Sequence, residues 1–172
     1  MNTHNRIFHA FNELIQRKAF DDITVLEICR VANVSTSSFY RHYKDKYDVM
    51  NDNYKRILNQ YMHSANNHNF EDIFINLFKA GKELQYLKKA FDYTGINSLG
   101  DFVYSYSYQT VIDLCDKKEK QLSKEDLFQL DVFCGGCSIL YKNYIQGKYD
   151  LSPVKAGKTL YKMLPNTFKI TW

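Results

Sequence analysis

The stretch from Thr24 to Met50 reads TVLEICRVANVSTSSFYRHYKDKYDVM. Thr24 is a helix N-cap residue, and Glu27, three positions on, is the matching partner of a capping box. Val25, Ile28, Val31 and Ala32 recur at the spacing of one helix face. Asn33 follows, and asparagine tolerates a left-handed backbone almost as well as glycine. Ser35 caps a second short helix, expected to run through Tyr43. Asp45 caps a long helix with Tyr47, Met50, Tyr54, Ile57, Leu58 and Tyr61 on its apolar side. Two short helices joined by a turn of three or four residues, with a long helix behind them, have the spacing of a helix-turn-helix.

Upstream, Ile7, Phe8, Phe11, Leu14 and Ile15 form one face of a first helix that should end near Lys18. Downstream, Ser64–Asn69 is a polar connector, followed by a helix with Phe70, Ile73, Phe74, Leu77, Phe78 and Leu84 inside. Residues 95–100 form a second break, and a tyrosine-rich helix then runs from about Leu99 to Lys120. Ser123 and Asp126 open a long helix carrying Leu127, Leu130, Phe133, Cys134, Cys137, Leu140, Tyr141 and Tyr144. Gly147 stops it. Ser152 and Pro153 open the last helix, with Val154, Gly157, Leu160, Tyr161 and Leu164 facing inward. The helical period dominates throughout, so the expected class is all-α.

The composition narrows the possibilities. Hydrophobic residues are 45% and aromatics 16%, which places the chain among globular proteins. Seven glycines and two prolines are too few for a turn-rich all-β fold. No apolar run is long enough to cross a membrane. The segment Met1–Arg6 lacks the apolar core of a signal peptide, so the expected location is the cytoplasm, with the four cysteines as thiols. A net charge of +4 permits a nucleic-acid partner without requiring one. Residues 1–60 hold nine basic and seven acidic side chains, so any DNA face there must be basic by arrangement.

The residues themselves favour DNA. Short hydroxyl side chains at a helix start approach a groove edge closely, and Tyr40, Arg41, His42, Lys44 and Lys46 surround them with donors for phosphates. The pattern V-S-x-x-x-F-Y-R-H-Y-x-x-K, from Val34 to Lys46, with Thr24 and Ile28 ahead of it, resembles the TetR family of bacterial regulators. The resemblance covers about Arg6 to Leu58. Beyond it, only the all-helical plan and the late Gly147…Ser152-Pro153 helix start match. Cys29 stands where that family usually has alanine, and Asn33 where it usually has glycine.

The resemblance implies a three-helix DNA-binding domain at residues 1–46 and a helical effector-binding and dimerisation domain at 47–172. Thr24 would cap a helix whose N-terminus meets a phosphate. Thr36, Ser37 and Ser38 would face the major groove, with Ser35 at the helix start in the same DNA-binding set, and Arg41 would reach a guanine. Tyr40, His42 and Lys46 would clamp the DNA backbone. The last two helices, about Lys124–Gln146 and Pro153–Leu164, would pair with their mates in a homodimer. Phe133, Cys137, Leu140, Tyr141, Leu160 and Leu164 are the interface candidates, with ordinary core as the alternative.

Phe91, Tyr93, Phe102, Tyr104 and Tyr108 are candidates for lining a small-molecule effector pocket. Aromatics at helical spacing serve equally well as core. Tyr104, Tyr106 and Tyr108 alternate every second residue, so they cannot all face one cavity. Cys134-Gly-Gly-Cys137 has redox or half-zinc spacing, but it falls mid-helix with no strand before it and no second ligand pair. Its glycines are expected to permit close helix approach at a dimer bundle. No metal, cofactor or enzymatic activity is expected. The leading reading is a ligand-responsive dimeric repressor bound to a double-stranded operator. The alternatives are a coactivator or interaction module of the same fold, and a thiol enzyme built on Cys134 and Cys137.

Overall fold

The computed structural model describes residues 1–62, 64, 66–83, 85–95 and 97–171. Among them the chain is all-α: α1 (Thr3–Arg17), α2 (Val25–Ala32), α3 (Thr36–Tyr40), α4 (Lys46–Met62), α5 (Phe70–Glu83), α6 (Gln85–Ala90), α7 (Leu99–Lys117), α8 (Lys124–Ile145) and α9 (Pro153–Met163). Single 3-10 turns occupy Phe20–Asp22 and Asn166–Phe168. Leu84 lies outside the described residues, as does part of the Ser64–Asn69 connector. The short helix α6 had no counterpart in the periodicity.

The helices sort into two compact units, Met1–Asn59 with Leu84–Leu99, and Gln60–Glu83 with Gly100–Trp172. The first unit therefore reaches beyond residues 1–46. Tyr54 of α4 and Phe91 after α6 are both buried and meet edge to face, 6.3 Å between ring centres. The Lys89 ammonium also donates to the Gln16 carbonyl at 2.8 Å, tying α6 to the end of α1.

In the first unit, α1 buries Ile7, Ala10, Phe11, Leu14 and Ile15. Phe8 is only half-buried and carries the Arg56 guanidinium 4.5 Å above its ring. Thr24 caps α2 by accepting the Glu27 N–H at 3.2 Å. The Glu27 carboxylate does not complete a capping box with Thr24. It takes the Lys18 ammonium at 2.6 Å instead, which holds its carboxyl below the usual range. A bond to a cation outcompetes one to a neutral amide. Ile28, Cys29 and Ala32 form the inward face of α2, while Val25 and Val31 are half-buried. Asn33 adopts the left-handed backbone, φ 51°, that ends α2.

Helix α3 stops at Tyr40, three residues short of expectation. The N–H groups of His42 and Tyr43 both bond the Phe39 carbonyl, so the chain turns there. Asp45 then caps α4 by accepting the Asp48 N–H at 2.8 Å, and Asp48 accepts the Lys44 N–H in return.

The second unit closes on Phe70, Ile73, Val111, Cys115, Leu130, Cys134, Leu164 and Phe168. Ser123 and Asp126 form the full capping box that opens α8. Gly147 ends that helix with φ +83°, and Ser152 caps α9 with Pro153 at its start. Val154, expected inside, is exposed, and Ala156 takes the inner place. Helices α5 and α9 cross so closely that a Cβ on Gly157 would lie 2.6 Å from the Ile75 backbone nitrogen. Backbone cannot yield as a flexible side chain does. Gly157→Ala should therefore cost about 2 kcal/mol or more of stability, read as a lower urea midpoint. An unchanged midpoint contradicts this packing.

Candidate nucleic-acid interface

Five residues are too few for a helix to hold itself. Helix α3 is held by one buried side chain, Phe39, which is 0% exposed. Its N-terminus is capped by the Ser35 hydroxyl, which accepts the Ser38 N–H at 3.1 Å. Fixing Phe39 inward sends Thr36, Ser37, Tyr40, Arg41 and His42 outward, and all five are exposed. Tyr40 is 59% exposed and stands edge-on to Phe39 (5.4 Å, 85°), so it is not packed between α3 and α4. Ser35 and Thr24 are also exposed, each at the start of its helix. Leu26, exposed on the first turn of α2, was not singled out by the sequence.

Ser35, Ser38, Arg41 and Lys46, all sequence candidates, make hydrogen bonds within the unit. The Ser38 hydroxyl oxygen lies 2.9 Å from Ser35 Oγ and accepts an Arg41 guanidinium N–H at 2.9 Å. The three side chains form one chain along α3, which orients Arg41. The Lys46 ammonium donates to the carbonyls of Phe20 and Asp21, both at 3.0 Å, and lies 4.7 Å above the Phe20 ring. It fastens the start of α4 to the 3-10 turn, a role that its position in the motif did not disclose. Beneath α3, the buried Tyr43 donates its hydroxyl to Asp52 at 2.8 Å. Burial and that carboxylate push its phenol far up.

The effector candidates divide between the units. Phe91 is core in the first. Tyr93, also in the first, wedges between Phe20 and Tyr47, 5.1 Å from each, and lies 3.0 Å from Tyr47 through their hydroxyls. In the second, Phe102 stacks on Tyr106 at 5.5 Å, and Tyr104 pairs with Tyr108 while bonding Asp131.

The second unit carries an apolar groove of about 630 Å³ between α8 and α9. Phe133, Cys137, Leu140 and Leu160 line it, as do the exposed Phe128, Val132 and Met163. Ile139, 65% exposed, continues the outer stripe. Two further interface candidates have partners inside the unit: Tyr141 donates its hydroxyl to the Leu77 carbonyl, and Leu164 belongs to the core. A Cβ on Gly135 or Gly136 would meet nothing within 4 Å. Cys134 is buried, which pushes its thiol up to about 12, and burial raises Cys137 as well. Both shifts disfavour the thiolate that redox chemistry needs. Among the described residues, no cluster of three His, Cys, Asp or Glu side chains is placed to hold a metal, and no helix is long and apolar enough to cross a membrane.

Comparison with known proteins agrees with this architecture. Residues 7–52 match the family model of bacterial regulatory proteins, tetR family. Three solved structures share the fold. A dihydroxyacetone kinase operon activator, DhaS, is 16% identical, with TM-score 0.62 over 94% of this chain and 93% of its own. A TetR transcriptional regulator from Streptococcus agalactiae is 16% identical, with TM-score 0.63 over 95% and 94%. The R. erythropolis transcriptional repressor QsdR is 12% identical, with TM-score 0.54 over 94% of each chain. No curated protein matches the chain.

The two contact patterns separate Lys46 from Tyr40. Lys46→Ala, losing both carbonyl bonds, should lower stability by about 1–2 kcal/mol, whereas Tyr40→Ala should change it by less than about 0.5 kcal/mol. Thermal denaturation of both variants checks this, and equal midpoints contradict the assignment of Lys46.

Proposed function

The amino-terminal domain of this chain belongs to the TetR family of bacterial regulatory proteins, and from that premise we propose that this DNA-binding regulator acts as a cytoplasmic homodimeric repressor released by a small-molecule effector. The observation that carries the reading is the outward row on α3. Thr36, Ser37, Tyr40, Arg41 and His42 are exposed together, and only Phe39 of that helix is buried. Short hydroxyl side chains let the helix enter the major groove, where Arg41 takes a guanine edge. Tyr40 and His42 contact phosphates, as does the capped N-terminus of α2 at Thr24.

One such module reads few base pairs, and a two-fold partner doubles the site. The groove between α8 and α9, with the exposed Phe128, Val132, Ile139 and Met163 around it, supports a second copy as that partner. Gly135 and Gly136 have no packing need within one chain, which fits close approach of a mate. The effector acts by shifting population toward a spacing of the reading helices that no longer matches successive major grooves. A second reading, activation, is supported by the similarity of fold to a structure described as an operon activator.

Selection of duplexes from a random pool by the full chain tests the reading. The expected product is a pair of inverted half-sites whose affinity falls steeply with salt. Arg41→Ala should relax preference at one position per half-site by about 1–3 kcal/mol, while Tyr40→Ala weakens all sequences alike. Recovery of no sequence overturns DNA reading. Light scattering should give a dimer for the wild type and a monomer for Val132→Asp with Ile139→Asp. A monomeric wild type overturns the interface.

A further inference from the structure

The first turn of α1 reaches the reading helix through His4. The His4 ring lies flat on Tyr43, 5.0 Å between centres and 12° between planes, and meets His42 edge-on at 6.0 Å. Tyr43 in turn packs on Phe39, the buried anchor of α3, at 5.9 Å. Asp52 Oδ2 accepts the Tyr43 hydroxyl at 2.8 Å and Arg56 Nε at 3.1 Å, and lies 3.3 Å from His4 Nε2. The Arg56 guanidinium meets Nδ1, and the same nitrogen lies 3.4 Å from Nε2. Arg56 also donates to the Asn5 side chain at 3.1 Å.

These contacts select one form of the ring. Nδ1 meets a donor that cannot be deprotonated, so it must accept, and Nε2, 3.3 Å from Asp52 and 3.4 Å from the same guanidinium nitrogen, is left to carry the proton. That is the neutral imidazole. Imidazolium would place an N–H against the guanidinium, donor against donor and cation against cation.

We infer that neutral His4 is a positioning residue for DNA reading, and that its protonation loosens the end of α3 and weakens binding. The inference rests on the DNA-reading assignment above and adds a regulation to it. The charged groups facing His4 are Asp52 and Arg56 from α4 and His42 from the turn after α3. Burial lowers its pKa from 6.5, Asp52 opposes that, and Arg56 and His42 add to it. A folded pKa below the unfolded one means that the network is whole above about pH 6.5 and is lost as pH falls through the lower folded value.

The test compares wild type with His4→Gln, whose amide both accepts and donates but does not titrate. Affinity for a duplex selected by the wild-type protein is measured from pH 8 to pH 5.5, with helicity followed by circular dichroism. Wild type should lose about threefold or more affinity beyond any loss in His4→Gln, since a one-unit pKa difference between free and bound protein is worth about tenfold. Parallel profiles, or a wild type that gains relative to the variant in acid, overturn the inference. Failure of wild type to bind at pH 8 overturns the DNA-reading assignment instead. Should His4→Gln not fold, ring-nitrogen NMR of wild type decides: the His4 pKa must be lower in the DNA complex than in the free protein, and an equal or higher value contradicts the inference.

Discussion

The burial of Phe39 is the contact on which DNA reading depends. Helix α3 has five residues and no other fully buried side chain, so its place is set by this ring and by the Ser35 cap. Fully burying such a ring is worth about 2–3 kcal/mol, more than a single turn of helix can supply. The ring rests on Tyr43, Tyr43 bonds Asp52, and Asp52 is held by Arg56. The exposed row from Thr36 to His42 is therefore presented by a stack that runs through α4 to the first turn of α1. A reading surface on so short a helix is as well placed as the residues beneath it.

The local features were legible because their physics is local. The caps at Thr24, Ser35, Asp45, Ser123 and Ser152, the left-handed Asn33 and the stop at Gly147 each depend on neighbours within four residues. What escaped was long-range. Glu27 leaves its cap for Lys18, nine residues away, and Lys46 spends two donors on carbonyls 25 and 26 residues away. The His4 network joins positions about fifty apart and leaves no trace in spacing. Helix α8 misled for a different reason. It carries apolar residues on two faces, Leu130, Cys134 and Tyr141 inside and Phe128, Val132 and Ile139 outside. Periodicity marks one apolar stripe against a polar one and cannot tell two apolar stripes apart. Tyr141, an interface candidate on the resemblance, lies on the inner of these two faces.

That second apolar face also separates the functional classes. A thiol enzyme would need Cys134 or Cys137 ionised, and burial raises both. A helix that buries one face in its own unit and leaves Phe128, Val132 and Ile139 exposed beside two unobstructed glycines has instead the form of an assembly surface. Together with the short reading helix, it is what supports the proposed two-fold DNA reader.

The most direct test of that account is base-resolution protection of guanine N7, a major-groove atom, in a duplex selected by the protein. Two protected segments, centred about one helical turn, 34–36 Å, apart or a multiple of it, are predicted, with both lost together when the dimer is broken. No protection at guanine N7, or one segment only, would contradict it.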